Sequence, residues 1–327
     1  MAQSDIWRPS ASVEIIRARA EMLGLIRQFF DRIGVLEVET PICSRFAATD
    51  PAIESFSTRY TGPEADQGRD LFLHTSPEFP MKRLLAAGCG PIFQICKVFR
   101  NAELGRRHNP EFSLLEWYRP GLDYHQLMDE VASLVNTLTQ QPLQIEKLTY
   151  AEAFERRLGV NPHTTTRDQL RQCAIEQGIP GADQLAIDEC DGWLDLLLSQ
   201  LIEPELGQAG MTFLYDYPAS QAALARVRGS RPTVAERFEL YIQGIEIANG
   251  FQELTDADQQ RKRFSDDNRR RRQSRQAVPP MDENLLDALT AGMPECAGVA
   301  LGLDRLLMFL TDTRDLRQVV TFDLNRA

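Results

Sequence analysis

The sequence contains no apolar run long enough to span a bilayer, and its start, MAQSDIWRPS, lacks the basic and apolar blocks of a signal peptide. The six cysteines include no C-x-x-C pair and the four histidines are dispersed, so neither a zinc site nor a disulfide framework is indicated. The P-loop and G-x-G-x-x-G motifs are also missing, so neither a P-loop nor a dinucleotide-binding fold is expected to hold a nucleotide. We therefore expect a cytoplasmic protein without a membrane segment.

Acidic residues outnumber basic ones, because the sequence has 47 Asp and Glu residues but only 36 Lys and Arg residues, and the net charge is −11. A nucleic-acid interface needs clustered Lys and Arg, so an extended surface of that kind is not expected. The local exception is the basic run from Arg261 to Arg275. Such a run is typical of a solvated helix face, and the alternative is a docking site for an acidic protein or RNA.

The stretch from Val98 to Pro120 predicts two antiparallel strands joined by a long polar loop. Because strand side chains alternate, this pairing places Arg100 near Phe112, with Glu116 and Tyr118 further along the same face. A guanidinium, an aromatic ring, a carboxylate and a phenol can together hold phosphate, purine and ammonium groups. The loop adds positive charge through Arg106, Arg107 and His108. An edge hairpin with a solvated basic loop is the plainer alternative.

The stretch RFELYIQGIEIANGFQEL, from Arg237 to Leu254, predicts a hairpin that turns at Gln243-Gly244. This register pairs Tyr241 with Glu246 and Glu239 with Ala248, which leaves the two glutamates about 7 Å apart at Cα on one face. Two carboxylates this close repel each other unless a cation lies between them. Mg²⁺ carrying triphosphate oxygens would satisfy both.

The second strand of the same hairpin carries Asn249, Phe251 and Glu253 with the opposite parity. Glycine within a strand often marks a bulge, so a bulge at Gly250 is expected to turn these three side chains back to the Glu239 face.

Two further stretches carry candidate binding residues. In LFLHTSPEFPMKRLLAAG a strand from Leu71 to His74 ends in a turn at Ser76-Pro77, which leaves Glu78 near the start of a helix. In GVALGLDRLLMFL a strand of small residues precedes a helix from Leu303 to Leu310, and Arg305 lies in its first turn. The helix dipole favours a phosphate there.

These motifs resemble those of a known family. FRN, RHNPEF and the following E-x-Y are similar to motif 2 of the class II lysyl-tRNA synthetases and their paralogues, and GVALGLDR resembles motif 3. The longer match from GRRHNPEF to LLEWYRP resembles the elongation factor P lysine ligases, which attach β-lysine to a protein rather than to tRNA. A helix from Val13 to Ile33 and a strand ending at Pro41 resemble motif 1, which forms the homodimer interface in this family.

The resemblance implies an α+β fold: a class II aminoacyl-tRNA synthetase catalytic core, with a mixed but mainly antiparallel sheet flanked by helices. It implies a single domain over residues 1–327, with a largely helical insertion at about residues 140–232. The N-terminal anticodon-binding barrel of lysyl-tRNA synthetases is missing from this sequence, so tRNA is expected to be a poor acceptor.

The resemblance also assigns roles to individual residues, with Arg100 and Arg305 as the catalytic pair. The implied ATP-binding set is Arg100, Asn101, Ala102, Arg107, His108, Asn109, Phe112, Glu239, Glu246, Ile247, Gly302 and Arg305. The implied substrate-binding set is Ser76, Pro77, Glu78, Glu116, Tyr118, Asn249, Phe251, Glu253 and Ala300. The implied cofactors are ATP and Mg²⁺, with Glu239 and Glu246 as the metal ligands.

Two positions depart from the family pattern. Motif 2 commonly reads Arg-x-Glu, whereas position 102 is alanine here. Ala300 stands where lysyl-tRNA synthetases usually have glycine, and one added methyl group changes discrimination by ~1–3 kcal/mol. A reshaped pocket fits a substrate with a displaced amino group, which is β-lysine rather than α-lysine.

The sequence therefore predicts a homodimeric ATP-dependent ligase that activates (R)-β-lysine as an adenylate and transfers it to a lysine of elongation factor P. One alternative is a lysine-activating synthetase that acts on tRNA. The other is a catalytically inactive paralogue that senses an amino acid, which the alanine at position 102 encourages.

Overall fold

The computed structural model describes residues 6–65, 67–229 and 231–327. The first five residues of the N-terminal stretch MAQSDIWRPS, for which no signal peptide is predicted, lie outside these ranges. The helices are α1 (Val13–Arg32), α2 (Glu78–Ala86), α3 (Tyr124–Thr139), α4 (Tyr150–Leu158), α5 (Arg167–Glu176), α6 (Cys190–Leu197), α7 (Ala257–Gln273), α8 (Glu283–Gly292) and α9 (Leu303–Leu310). The strands are β1 (Leu36–Glu37), β2 (Cys43–Ser44), β3 (Ser57–Tyr60), β4 (Arg69–Leu73), β5 (Ile92–Phe99), β6 (Glu111–Pro120), β7 (Gln144–Thr149), β8 (Gly210–Pro218), β9 (Val227–Arg228), β10 (Val234–Ile242), β11 (Ile245–Gln252) and β12 (Cys296–Gly302).

The chain divides into two compact units, of which the first comprises Met1–Leu122, Thr137–Thr139 and Thr255–Ala327. In this unit β1 runs parallel to β5, while β5 and β12 each pair antiparallel with β6. A smaller antiparallel sheet has the order β2-β4-β3. The sheets are therefore mixed but mainly antiparallel.

Helix α1 shows how local sequence shapes the first unit. Ser12 caps the helix, because its side chain accepts a hydrogen bond from the backbone N–H of Ile15. The apolar face is buried, and the ring of Phe30 stacks on Phe93 of β5 with 4.4 Å between ring centroids. The chain leaves the helix through Gly34, whose positive φ of 69° suits glycine. The predicted helix from Val13 to Ile33 is thus confirmed to within one residue.

The second unit comprises Asp123–Asn136 and Gln140–Leu254. Its strands follow the order β11-β10-β8-β7, with β9 paired to β10; β7 and β8 are parallel and the other pairs are antiparallel. Tyr150, Phe154, Trp193 and Leu214 are among the side chains of its core. The predicted insertion at about residues 140–232 lies within this unit and supplies strands β7–β9 as well as helices α4–α6.

Helices accompany mainly antiparallel sheets in both units, which confirms the predicted α+β class. No helix in the described part of the chain combines the length and the apolar character that crossing a membrane requires.

The basic run lies on α7 and just beyond it, and its residues are not equivalent. Arg269, Arg270 and Arg272 are exposed, as expected for a solvated helix face. Arg271 is only 4% exposed, and its guanidinium donates hydrogen bonds to four backbone carbonyl oxygens, those of Thr49, Asp50, Ile53 and Ala277. Treating the whole run as a solvated face was therefore wrong for Arg271, because this guanidinium ties a loop to the helix.

Candidate active site

The β5–β6 hairpin of the first unit brings Arg100 to Phe112, as predicted. Val98 pairs with Phe112 across the hairpin, and the backbone N–H of Arg100 donates to the carbonyl of Pro110 at 2.9 Å. The guanidinium carbon lies 5.1 Å from the centroid of the Phe112 ring. The Nε of Arg100 is buried and finds no acceptor among the described residues. A cationic donor in this state fits an anionic ligand such as a phosphate.

Arg305 meets the loop between these strands from helix α9, which begins and ends where it was predicted to. Its Nε donates to the carbonyl of Arg107 at 3.3 Å, and its Nη2 lies 2.8 Å from Nε2 of His108. A guanidinium can only donate, so this His108 nitrogen accepts and the imidazole is neutral. Burial first, and then the charge of Arg305, lower the pKa of His108. Arg100 and Glu103 also act on this ring, so the first unit gathers both predicted arginines around one loop.

The other loop residues predicted to bind ATP make contacts within the loop and with its neighbours. The Nδ2 of Asn101 donates to Glu54 at 3.1 Å, and its Oδ1 accepts from the backbone of Ala102 at 3.0 Å. Ala102 is exposed with a φ of 63°. Asn109 is buried, and its Nδ2 donates to the carbonyl of Glu111 at 2.6 Å. The ATP-binding roles of these residues stay predictions.

A second cluster lies further along β6, centred on the buried carboxylate of Glu116. This carboxylate accepts hydrogen bonds from the hydroxyl of Ser76 at 2.7 Å and from the hydroxyl of Tyr118 at 2.6 Å. The backbone N–H of Glu78 donates to the same serine oxygen at 3.0 Å. Pro77 is the N-cap residue of α2. Burial, and next the negative charge of Glu78, raise the pKa of Glu116 to about 7.

Lys82 belongs to this cluster and was missed in the sequence. Its ammonium nitrogen lies 2.6 Å from Oε1 of Glu78, and the residue is only 2% exposed. The available signal was the spacing of four residues between Glu78 and Lys82, which places both on one side of α2.

Strand β12 contains Ala300 and Gly302. Ala300 pairs directly with Glu116, so its methyl group shares the face of that carboxylate. Gly302 is the N-cap residue of α9, and Arg305 follows in the first turn. Motif 3 therefore contributes to both clusters of the first unit.

In the second unit, the carboxylate of Glu239 is surrounded by donors. It accepts hydrogen bonds from Tyr217 at 2.7 Å, from Tyr241 at 2.6 Å and from Nδ2 of Asn249 at 3.2 Å, and it forms an ion pair with Arg237. Burial and the charge of Glu239 raise the pKa of both tyrosines well above the ordinary range, so both remain hydroxyl donors. Arg237 and the two tyrosines were not predicted as site residues.

The hairpin that carries Glu239 corrects the predicted register. The pair Tyr241–Glu246 is confirmed, but Glu239 pairs with Asn249 instead of Ala248. The extra residue of the bulge is Ile247, which lies between the partners of Tyr241 and Leu240.

The predicted bulge at Gly250 is therefore wrong, since Gly250 pairs regularly with Phe238. The one extra residue, Ile247, is buried, and it shifts the alternation of side chains three residues before Gly250. Asn249 pairs with Glu239 and Phe251 pairs with Arg237, so both side chains lie on the Glu239 face of the hairpin. This is the orientation that the predicted bulge was expected to produce. Glu253 is fully buried and forms a backbone bridge with Ala225.

The carboxylates of Glu239 and Glu246 are the predicted ligands of a magnesium ion. Within the described residues, no group of three or more His, Cys, Asp or Glu side chains could hold a metal ion. Mg²⁺ commonly uses only one or two protein carboxylates together with phosphate oxygens and water, so Glu239 and Glu246 fit that pattern. Glu239 would have to exchange its ion pair with Arg237 for the metal. Metal ligation by this pair stays a prediction.

Comparison with known proteins agrees with the motifs. The family model of class II tRNA synthetases (D, K and N) matches residues 4–326. The chain is 48% identical over 328 aligned positions to proteins named elongation factor P–(R)-β-lysine ligase in Salmonella paratyphi B, Salmonella schwarzengrund and Salmonella paratyphi C. Each alignment covers 100% of both proteins. The chain therefore belongs to the class II tRNA synthetase family (D, K and N), which confirms the resemblance seen in its motifs.

Proposed function

We propose that this protein uses ATP to activate (R)-β-lysine as an aminoacyl adenylate and then transfers the β-lysyl group to a lysine side chain of elongation factor P. The observation that carries the proposal is the arrangement along β6. Phe112, beside Arg100, suits a nucleotide, and the buried Glu116, four residues further on, suits an ammonium group. The full-length similarity to ligases with that name supports the acceptor. An acceptor that works in translation places the reaction in the cytoplasm.

The first half-reaction needs placement and charge neutralisation more than an acid or a base. An oxygen of the amino acid carboxylate attacks the α-phosphorus, the bond to the β-phosphate breaks, and pyrophosphate leaves. We assign Arg100 to the α-phosphate, Arg305 with Arg107 and His108 to the outer phosphates, and Phe112 to stacking on adenine. Mg²⁺ held by Glu239 and Glu246 would neutralise triphosphate charge.

In the second half-reaction the acceptor amine attacks the carbonyl carbon of the adenylate, AMP leaves, and the amine releases a proton to solvent. The diamino acid is held for both steps by its ammonium groups. We assign that role to Glu78, Glu116 and Tyr118, and also to Asn249, Phe251 and Glu253 of the second unit. Buried carboxylates left without a cation are costly, so neutral amino acids are rejected.

The KM for the diamino acid is expected to fall as pH rises through 7. The pKa of Glu116 is raised to about 7, so the carboxyl group is protonated below that pH and cannot pair with an ammonium group. One pH unit below 7, KM should be up to about tenfold higher than its plateau above pH 8. Pyrophosphate exchange measured from pH 6 to 8 gives this profile. Glu116→Gln should show a high, flat KM, and a flat profile in the unmodified protein would contradict the assignment.

Ala300→Gly is expected to shift the preference from β-lysine towards α-lysine. The methyl group of Ala300 shares the face of Glu116, and its removal changes the pocket by one carbon, worth ~1–3 kcal/mol in discrimination. The ratio of the two adenylation rates measures the shift. Ala297→Gly is the matched control, because Ala297 has the opposite parity on the same strand. An unchanged ratio in Ala300→Gly would remove this residue from the specificity argument.

We also propose a homodimer formed through the motif 1 elements. Ile33, Leu36 and Ile42 are large apolar residues exposed at the end of α1 and beyond it. Clustered exposed apolar side chains mark interaction surfaces. Sedimentation equilibrium should give twice the chain mass of 37.0 kDa, and Leu36→Asp with Ile42→Asp should lower the mass to that of one chain. A monomer at micromolar concentration would refute this proposal.

The proposed activity is tested by ATP–pyrophosphate exchange with (R)-β-lysine, with α-lysine and without an amino acid. We expect exchange that depends on the amino acid and is fastest with (R)-β-lysine. No exchange with either amino acid would favour an inactive amino-acid-sensing paralogue. Faster exchange with α-lysine, followed by its transfer to tRNA, would favour a lysine-activating synthetase.

A further inference from the structure

Lys82 is an unusual residue in a chain that uses arginine for nearly all of its positive charge. The sequence has only four lysines; Lys97, Lys147 and Lys262 are partly or fully exposed, whereas Lys82 is 2% exposed. Burying an ammonium group is unfavourable unless an anion accompanies it. Its ion pair with Glu78, at 2.6 Å, supplies that anion.

The ion pair is connected to Glu116 through Ser76. The Ser76 oxygen accepts from the backbone of Glu78 at 3.0 Å and donates to the carboxylate of Glu116 at 2.7 Å. Lys82, Glu78 and Glu116 therefore form one connected group, in which the ammonium cation of Lys82 accompanies two carboxylates. Ammonium groups of a ligand would meet this group when they enter the pocket.

We propose that Lys82 is a positioning residue of the diamino acid pocket: its ammonium group fixes the carboxylate of Glu78 and keeps Glu116 available as an anion for the substrate. The inference rests on the proposed function, since it takes the ligand to be a diamino acid. Neither the motifs nor the names of the relatives point to Lys82.

The charges around Glu116 determine the consequence. Among the described residues, the titratable groups that interact with it include Glu78 and Lys82 from α2, Tyr118 from β6 and Cys96 from β5. Burial raises the pKa of the Cys96 thiol to about 12, with the charge of Glu116 as the next cause, so this thiol stays neutral. Glu78 favours the protonated form of Glu116 and Lys82 opposes it. Without Lys82, the pocket should hold a proton that the ligand must displace.

Proton release on ligand binding is the direct test. Titration calorimetry of (R)-β-lysine at pH 7, in two buffers with different ionisation enthalpies, counts the protons released. With the pKa of Glu116 at about 7, the unmodified protein should release about half a proton per ligand. Lys82→Met should release more than half a proton. Its KM profile in pyrophosphate exchange should move to higher pH, while kcat above pH 8 changes less than about threefold.

A second variant tests the same group in the opposite direction. Glu78→Gln removes one of the charges that favour protonation of Glu116, so proton release at pH 7 should fall below half a proton even if Lys82→Met does not fold. Lys147→Met is the matched control, because Lys147 forms a partly exposed ion pair with Asp129 in the second unit, and proton release should be unchanged.

Two outcomes would overturn the inference: proton release that stays at the unmodified value in Lys82→Met and Glu78→Gln, or a KM raised by the same factor at every pH in Lys82→Met. The second outcome would indicate a merely structural lysine. A failure of the unmodified protein to bind or activate any diamino acid would instead overturn the proposed function.

Discussion

Arg100→Met is expected to lower kcat/KM for adenylate formation by about a thousandfold. The guanidinium lies beside Phe112 with a buried Nε that has no acceptor in the described part of the chain, so it is already oriented for a phosphate. Removing one preorganised donor from a developing negative charge costs roughly 10²–10³ in rate, and a charged donor lies at the upper end. Single-turnover formation of the adenylate measures the loss.

The same variant should keep its affinity for the diamino acid, because Arg100 lies beside Phe112, four residues before Glu116 on β6. Arg314→Met, at an exposed position, is the control and should behave like the unmodified protein. A loss below about tenfold in Arg100→Met would remove this arginine from the reaction.

Arg271→Met is expected to lower the free energy of unfolding by about 3–5 kcal/mol, because four backbone carbonyl groups lose the charged donor that a buried guanidinium supplies. The contacts at 2.5 and 2.6 Å, to Ile53 and Asp50, are the shortest of the four. Urea unfolding followed by circular dichroism measures the change.

Arg272→Met is the matched control on the same helix, since Arg272 is exposed, and its effect should stay within about 0.5 kcal/mol. An equal, small effect in both variants would show that the buried hydrogen bonds of Arg271 contribute little to stability.

Motif spacing and strand alternation were sufficient to predict the parts of the site that lie on single strands and short helices. The β5–β6 hairpin, the proximity of Arg100 to Phe112 and the bounds of α9 depend on local periodicity, and all three agree with the structure. Local periodicity also predicted the turn that pairs Tyr241 with Glu246.

The bulge shows where local rules fail. Glycine is the usual signal for a bulge and therefore predicts one at Gly250, yet Ile247 is the extra residue. Ile247 is buried in the sheet, with 2% of its surface exposed. Burial of this kind depends on tertiary packing that a single strand does not reveal.

The missed charged residues have the same explanation. Lys82 looks like an ordinary helical lysine and Arg271 like one more member of a basic run, but each is buried against partners. Three of the four partners of Arg271, which are Thr49, Asp50 and Ile53, lie more than two hundred residues away in sequence. Tyr217 reaches Glu239 from β8, within the predicted insertion at about residues 140–232.

The most direct test of the proposed function offers both acceptors in one reaction. The protein is incubated with ATP, (R)-β-lysine, elongation factor P and total tRNA, and the intact mass of the factor and the acylation of the tRNA are measured. We predict that elongation factor P gains the mass of one β-lysyl group while the tRNA stays uncharged. Charged tRNA beside an unmodified factor would contradict the proposal.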